Sequence, residues 1–149
     1  GMEPDDERLS DSLKIAHEKG MKVLFVPKKE KAEHPNLVKM LLKKEKRQMT
    51  VTGISIGGGN IQISELDGFK ISLTMGTPTI ITVHQDVPGI IAQVTKLLSD
   101  MNVNIGTMTV TRESKGEKAI MIIEIDERHP DICQKLRQLS HIDSVTYFD

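Results

Sequence analysis

The sequence of 149 residues predicts an α+β protein. Three observations carry that expectation. Apolar residues recur at helical spacing in three separate stretches, near residues 6–19, 89–101 and 132–139. Short alternating or continuous apolar runs, bounded by Gly, Pro, Asn or Asp, fill much of the remainder. In the second half the segments follow in the order β-α-β-β-α-β, a split unit with a four-stranded antiparallel sheet and two helices on one face.

The first helix is expected over residues 6–19. Leu9, Leu13 and Ala16 share a face, Lys19 sits in the last turn, and Gly20 is a good stop. Residues 22–26 are apolar and β-prone, and Pro27 ends them, so a buried strand is expected there. Pro35 opens a new unit. Strands are expected over 37–43 and 48–56; the second alternates imperfectly through Met49, Val51 and Ile54. Gly57-Gly58-Gly59 follows, and residues 60–66 then alternate, with Ile61, Ile63 and Leu66 on the apolar side. Asp67-Gly68 is the strongest hairpin signal in the chain, and residues 69–73 return from it. These strands read as an antiparallel meander.

The second half begins with a strand at 79–83. Asp86-Val87-Pro88-Gly89 turns into a helix over 89–101, with Pro88 suited to its first turn. Ile90, Ile91, Val94, Leu97, Leu98 and Met101 give that helix one broad apolar face. Residues 105–111 alternate as a strand, Ser114-Lys115-Gly116 turns, and 119–125 forms another strand. His129-Pro130 starts a helix with Ile132, Leu136 and Leu139 inward, and residues 142–148 close the sheet. Pro and Gly break the middle of the chain, and the charge balance changes from basic to acidic near Gly76. Two domains are therefore expected, 1–76 and 77–149.

Composition narrows the function. A formal net charge of −1 removes the electrostatic case for a nucleic-acid partner. The basic runs at 28–31 and 43–47 lie between apolar segments and read as solvated loops. No apolar run is long enough for a membrane-spanning helix, and the acidic N-terminus is not a signal peptide. Cys133, the single cysteine, makes no internal disulfide and alone builds no metal or iron–sulfur site, so a reducing cytoplasm is the expected compartment. Gly1 ahead of Met2 reads as the remnant of a tag on part of a longer chain.

The run His84-Gln85-Asp86-Val87-Pro88-Gly89-Ile90-Ile91, set in a β-α-β-β-α-β pattern and joined by Asn102-Val103-Asn104-Ile105 at the next helix-to-strand junction, resembles the ACT domain. That family comprises small-molecule sensors attached to amino-acid enzymes, and its fold is ferredoxin-like. Upstream, His34-Pro35-Asn36, the stretch Val51-Thr52-Gly53-Ile54-Ser55-Ile56-Gly57-Gly58-Gly59-Asn60-Ile61 and Glu65-Leu66-Asp67-Gly68-Phe69 resemble the allosteric substrate-binding domain that precedes ACT in two serine-linked families. One is the β chain of bacterial iron–sulfur L-serine dehydratase, and the other is a subset of D-3-phosphoglycerate dehydrogenases. Ser-Ile-Gly-Gly-Gly-Asn-Ile and the region 5–20 are closer to the dehydratase β chain. The resemblance implies a partial α/β substrate-binding-like domain followed by an ACT domain. It also implies a regulatory or structural subunit with no catalytic residues of its own, a catalytic α chain as partner, a 4Fe-4S cluster held by that partner, and a homodimer formed through the ACT domain.

The resemblance also nominates residues. His84, Asp86 and Asn104 match positions that hold serine in related ACT domains, with the Asn supplied by a neighbouring subunit. Asp86 stands where the family has Asn, and its charge favours an amino group over a carboxylate. Pro88 and Gly89 would let a carboxylate approach the helix N-terminus. Read without the family, Asp86 is a helix cap, His84 an ordinary strand residue, and Pro88-Gly89 a turn. Ser55, Gly57, Gly58, Gly59 and Asn60 form either a loop facing a substrate-like ligand or the catalytic chain, or a tight bend between strands. His34 and Asn36 either line the same pocket or shape a turn. His17, His129 and His141 have no ligand-like spacing, and no metal site or Ser-His-Asp set is visible.

Overall fold

The computed structural model describes residues 2, 5–28, 32, 34–45, 47–74, 76–129 and 131–148. The expectations that rest on Gly1, on Lys29 and Lys31, on Lys46 and on Pro130 lie outside the described residues. The chain divides into two compact units, residues 1–35 and 36–149.

In the first unit a 3-10 turn, Glu7–Asp11, leads into helix α1, Ser12–Glu18. The Asp6 carboxylate caps the turn by accepting the Arg8 backbone N–H at 2.9 Å. The helix ends as Gly20 predicts. Gly20 adopts φ +76°, its N–H donates to the His17 carbonyl at 2.9 Å, and the Met21 N–H donates to the Ala16 carbonyl at 2.8 Å. Those two bonds are a Schellman stop. The strand expected at 22–26 is absent. Residues 21–28 carry no regular structure, and Leu24 and Phe25 are 78% and 73% exposed. Its β-branched composition suits a strand, but a strand needs a hydrogen-bonded neighbour, and this segment is assigned none.

The second unit holds two four-stranded antiparallel sheets. The first, in order β1-β2-β3-β4, is the meander: β1 Leu37–Lys44, β2 Arg47–Gly57, β3 Asn60–Leu66 and β4 Phe69–Thr74. The β2–β3 turn places Gly58 and Gly59 at φ +61° and +78°, the two left-handed positions of a type I′ hairpin, where a side chain would be strained. The pairing of β2 with β3 slips between Thr52 and Gly53. The extra residue is Ser64, so the bulge sets Ile63 and Leu66, three apart, on one face of β3, while β2 pairs with β1 without a break from Arg47 to Ile54.

The second sheet has the order β6-β7-β5-β8, with β5 Thr79–Gln85, β6 Ile105–Arg112, β7 Lys118–Ile125 and β8 Ile142–Phe148. Helices α2, Ile90–Asp100, and α3, Ile132–Leu136, pack on one face. There Ile80, Val94, Leu98, Met121, Ile123, Ile125, Ile132, Leu136 and Val145 form one core. Ile91, expected inward, is 44% exposed; Val94 and Leu98 hold the buried line of α2 instead.

The other face of this sheet is not bare. Ile81, Ile120 and Ile122 pack with Leu66, Phe69 and Leu73 of the meander. The boundary expected at 76/77 therefore falls inside one unit, because the two sheets share a core. It also explains why β7 reads as an unbroken apolar run: alternate residues serve the two opposite cores, and both faces are buried.

Candidate ligand-binding site

The end of β5 and the turn after it gather the polar groups of greatest interest. His84 is 1% exposed, and its Nδ1 has no hydrogen-bond partner among the described residues. Burial pulls its pKa below the ordinary histidine value, with Asp86 and Asp143 opposing that trend. Burial thus disfavours the charged imidazole. Because the unfolded chain takes up that proton first, His84 lowers stability as pH falls through the ordinary histidine range near about 6.5.

Asp86 is not a helix cap. Its Oδ2 accepts the Gly116 N–H at 3.1 Å and the Arg112 guanidinium at 2.7 Å, tying the β6–β7 hairpin to the first loop. The Gly116 N–H, then Arg112, hold its carboxyl below the usual range. Nothing in the local sequence announces this pair, since Arg112 lies 26 residues away. The sign follows from linkage: a lowered carboxyl pKa means the stabilisation is whole above the ordinary carboxylate range and is lost as pH falls through the lowered value. Thermal melts of wild type and Asp86→Asn are expected to differ at about pH 6 and to converge towards about pH 2. A gap that stays constant with pH would show that the carboxylate charge is not what matters.

The first turn of α2 has no side-chain cap. Gly89 precedes it at φ +88°, with open space where a Cβ would stand, so the backbone angle rather than crowding calls for glycine. Uncapped N–H groups at a helix start favour a carboxylate.

Asn104 is elsewhere. It precedes β6, and its Nδ2 donates to Asp126 Oδ2 at 2.6 Å. Strands β5 and β6 run parallel, each antiparallel to β7 between them. Ile105 pairs with Ile125, whose N–H donates to the Pro78 carbonyl, whereas Arg112 pairs with Ala119 and Ala119 with His84. Asn104 thus belongs to the β5 start and His84 to its end, roughly 20 Å away at about 3.3 Å per residue. One copy of the chain brings His84, Asp86, Pro88 and Gly89 together, but not Asn104.

Ser55, Gly57, Gly58, Gly59 and Asn60 lie together at the exposed tip of the β2–β3 hairpin. The Asn60 amide turns back to the Gly58 carbonyl at 3.5 Å. Asn36 opens β1 by accepting the Ser55 N–H on its carbonyl at 3.1 Å, while His34 belongs to the first unit. Cys133 is half-buried on α3, and burial pushes its thiol pKa up. Among the described residues no group of three His, Cys, Asp or Glu side chains is placed to hold a metal ion. No helix among them is long and apolar enough to cross a membrane.

Residues 80–147 match the family model described as the AHAS small subunit-like ACT domain. Over 95% of its length the chain is 40% identical to a Bacillus subtilis protein named probable L-serine dehydratase, beta chain. It is 29% identical, over 85% of its length, to the L-serine dehydratase beta chain of Peptoniphilus asaccharolyticus. A D-3-phosphoglycerate dehydrogenase of Synechocystis is 37% identical over 55% of this chain and 15% of its own. The chain spans 64% and 58% of the two beta chains.

Proposed function

We propose, from a chain that carries an ACT-type domain and resembles L-serine dehydratase beta chains along nearly its whole length, that this protein is the regulatory and structural β-type subunit of such an enzyme. The reaction converts L-serine to pyruvate and ammonia. The observation that carries this reading is the 40% identity to the Bacillus subtilis protein, which reaches through the meander as well as the ACT-type half.

In this reading the subunit works with a separate catalytic α chain in the reducing cytoplasm. A 4Fe-4S cluster takes thiolate ligands, and the sequence has one cysteine, half-buried on α3. The residues of this chain do not fit the cluster, which in this reading belongs to the α chain. Residues 1–76 then correspond to part of an allosteric substrate-binding-like domain. Ser55, Gly57, Gly58, Gly59 and Asn60 present its exposed hairpin tip to substrate or to the catalytic chain.

L-serine is the proposed effector. The uncapped start of α2 at Pro88 and Gly89 takes its carboxylate, and the His84 Nδ1 offers an acceptor to its ammonium. Arg112 already balances Asp86, which removes much of the repulsion that the acidic side chain would exert on a carboxylate. Asn104 reaches the ligand from a second copy paired through the ACT sheet, which is consistent with its distance from His84 within one chain.

The isolated chain is expected to show no lyase turnover, and mixing it with a cluster-loaded catalytic chain is expected to yield serine-dependent pyruvate formation. Pyruvate formed by the isolated chain would overturn the division of labour. The Synechocystis similarity favours a second reading, the sensor region of a phosphoglycerate dehydrogenase. A Gly-x-Gly-x-x-Gly nucleotide-binding unit upstream in the full gene would select it.

A further inference from the structure

Strand β1 is an edge of the meander sheet, and its inner face is unfinished. Met40 lies in register with Val51, and Val51 with Leu66, whose neighbour in the next strand is Phe69. That row enters the core between the two sheets. The row continues outward into a stripe that no described residue of this unit covers: Val38, Met40 and Leu42 are 59%, 39% and 50% exposed. Edge strands are usually blunted by charge, and β1 carries Lys39, Lys43 and Lys44. Lys39, however, is drawn away from the edge. Its ammonium crosses Thr52, its partner on β2, to meet Glu65 on β3 at 3.1 Å.

The sequence of β1 is complementary to itself in one register. A twofold axis through the sheet sets two β1 strands antiparallel and keeps inner residues opposite inner residues. Centred on Met40, Val38 faces Leu42 of the second copy, Met40 faces Met40, and on the outer side Lys39 faces Leu41 and Lys43 faces Leu37. Centring on Lys39 sets that lysine against itself, and centring on Leu41 sets Lys39 against Lys43. Like charges directly opposite are destabilising, whereas apolar pairs stabilise. Only the register centred on Met40 pairs all three stripe residues with one another and no lysine with a lysine.

We propose that β1 is a self-association edge. Two copies of this chain join there, antiparallel and in register at Met40, into a continuous eight-stranded sheet. This surface is separate from the ACT sheet and does not depend on the serine-site reading.

Cross-linking at chosen positions tests it, in a Cys133→Ser background so that each variant has one thiol. Met40→Cys is expected to give a covalent dimer with a short bis-maleimide. Lys39→Cys and Leu41→Cys are each expected to give little alone but to cross-link when mixed, because 39 faces 41 only in this register. Met40→Glu is expected to halve the sedimenting mass while leaving the circular dichroism spectrum and L-serine binding unchanged. A folded Met40→Cys chain that stays monomeric, cross-links only to a different added protein, or shows 39-to-39 cross-links as strong as the mixed pair would overturn the proposal. An unchanged mass for folded Met40→Glu would do the same.

Discussion

Replacing Leu98 by alanine is expected to lower the unfolding free energy by about 2–5 kcal/mol, the range for truncating a fully buried leucine. Leu98 is 0% exposed, on the inner line of α2, in the core beneath Ile80, Met121 and Ile123. Phe69→Ala, in the core on the other side of the β6-β7-β5-β8 sheet, is expected to cost about 3–5 kcal/mol. Phe69 lies in the core that joins the meander to Ile81, Ile120 and Ile122. The two cores are coupled through β7, which sends Ile120 and Ile122 to one side and Met121 and Ile123 to the other. Urea denaturation should therefore show one transition for each variant, displaced to lower midpoint. A separate early transition in Phe69→Ala, with the helical signal intact, would mean that the meander folds apart from the second sheet.

The second large effect concerns the proposed site. If His84 and Asn104 serve one ligand from two copies, His84→Ala and Asn104→Ala are each expected to weaken L-serine binding by roughly 10- to 100-fold, the loss of one hydrogen bond to a charged group. Mixing the two variants should restore part of the binding, because a mixed pair contains one intact site. Absence of restoration would place the two residues in different functions, which their roughly 20 Å separation within one chain also allows.

Much of this architecture was legible in the sequence, and the exceptions have physical causes. The ranges expected for β3 and β8 agree with the structure, since turn residues bound them closely. The meander was readable strand by strand, but its packing was not: the pattern of Phe69 and Leu73 shows that they are buried, not against what. Residues 22–26 show the reverse error, for their composition predicts a strand while pairing decides one. At the site, the turn from Asp86 to Gly89 was visible as turn chemistry. The Arg112 partner was not, because it arrives through the register of β6 on β7. The separation of Asn104 from His84 is likewise a property of strand order, which local patterning does not encode.

The most direct measurement is calorimetric titration of L-serine into the whole chain, with D-serine and glycine as controls. Saturable, stereoselective heat is expected for L-serine, with the affinity weakened in His84→Ala. Silence at millimolar L-serine, or equal heats for the two enantiomers, would contradict a serine sensor in the half of the chain that holds His84.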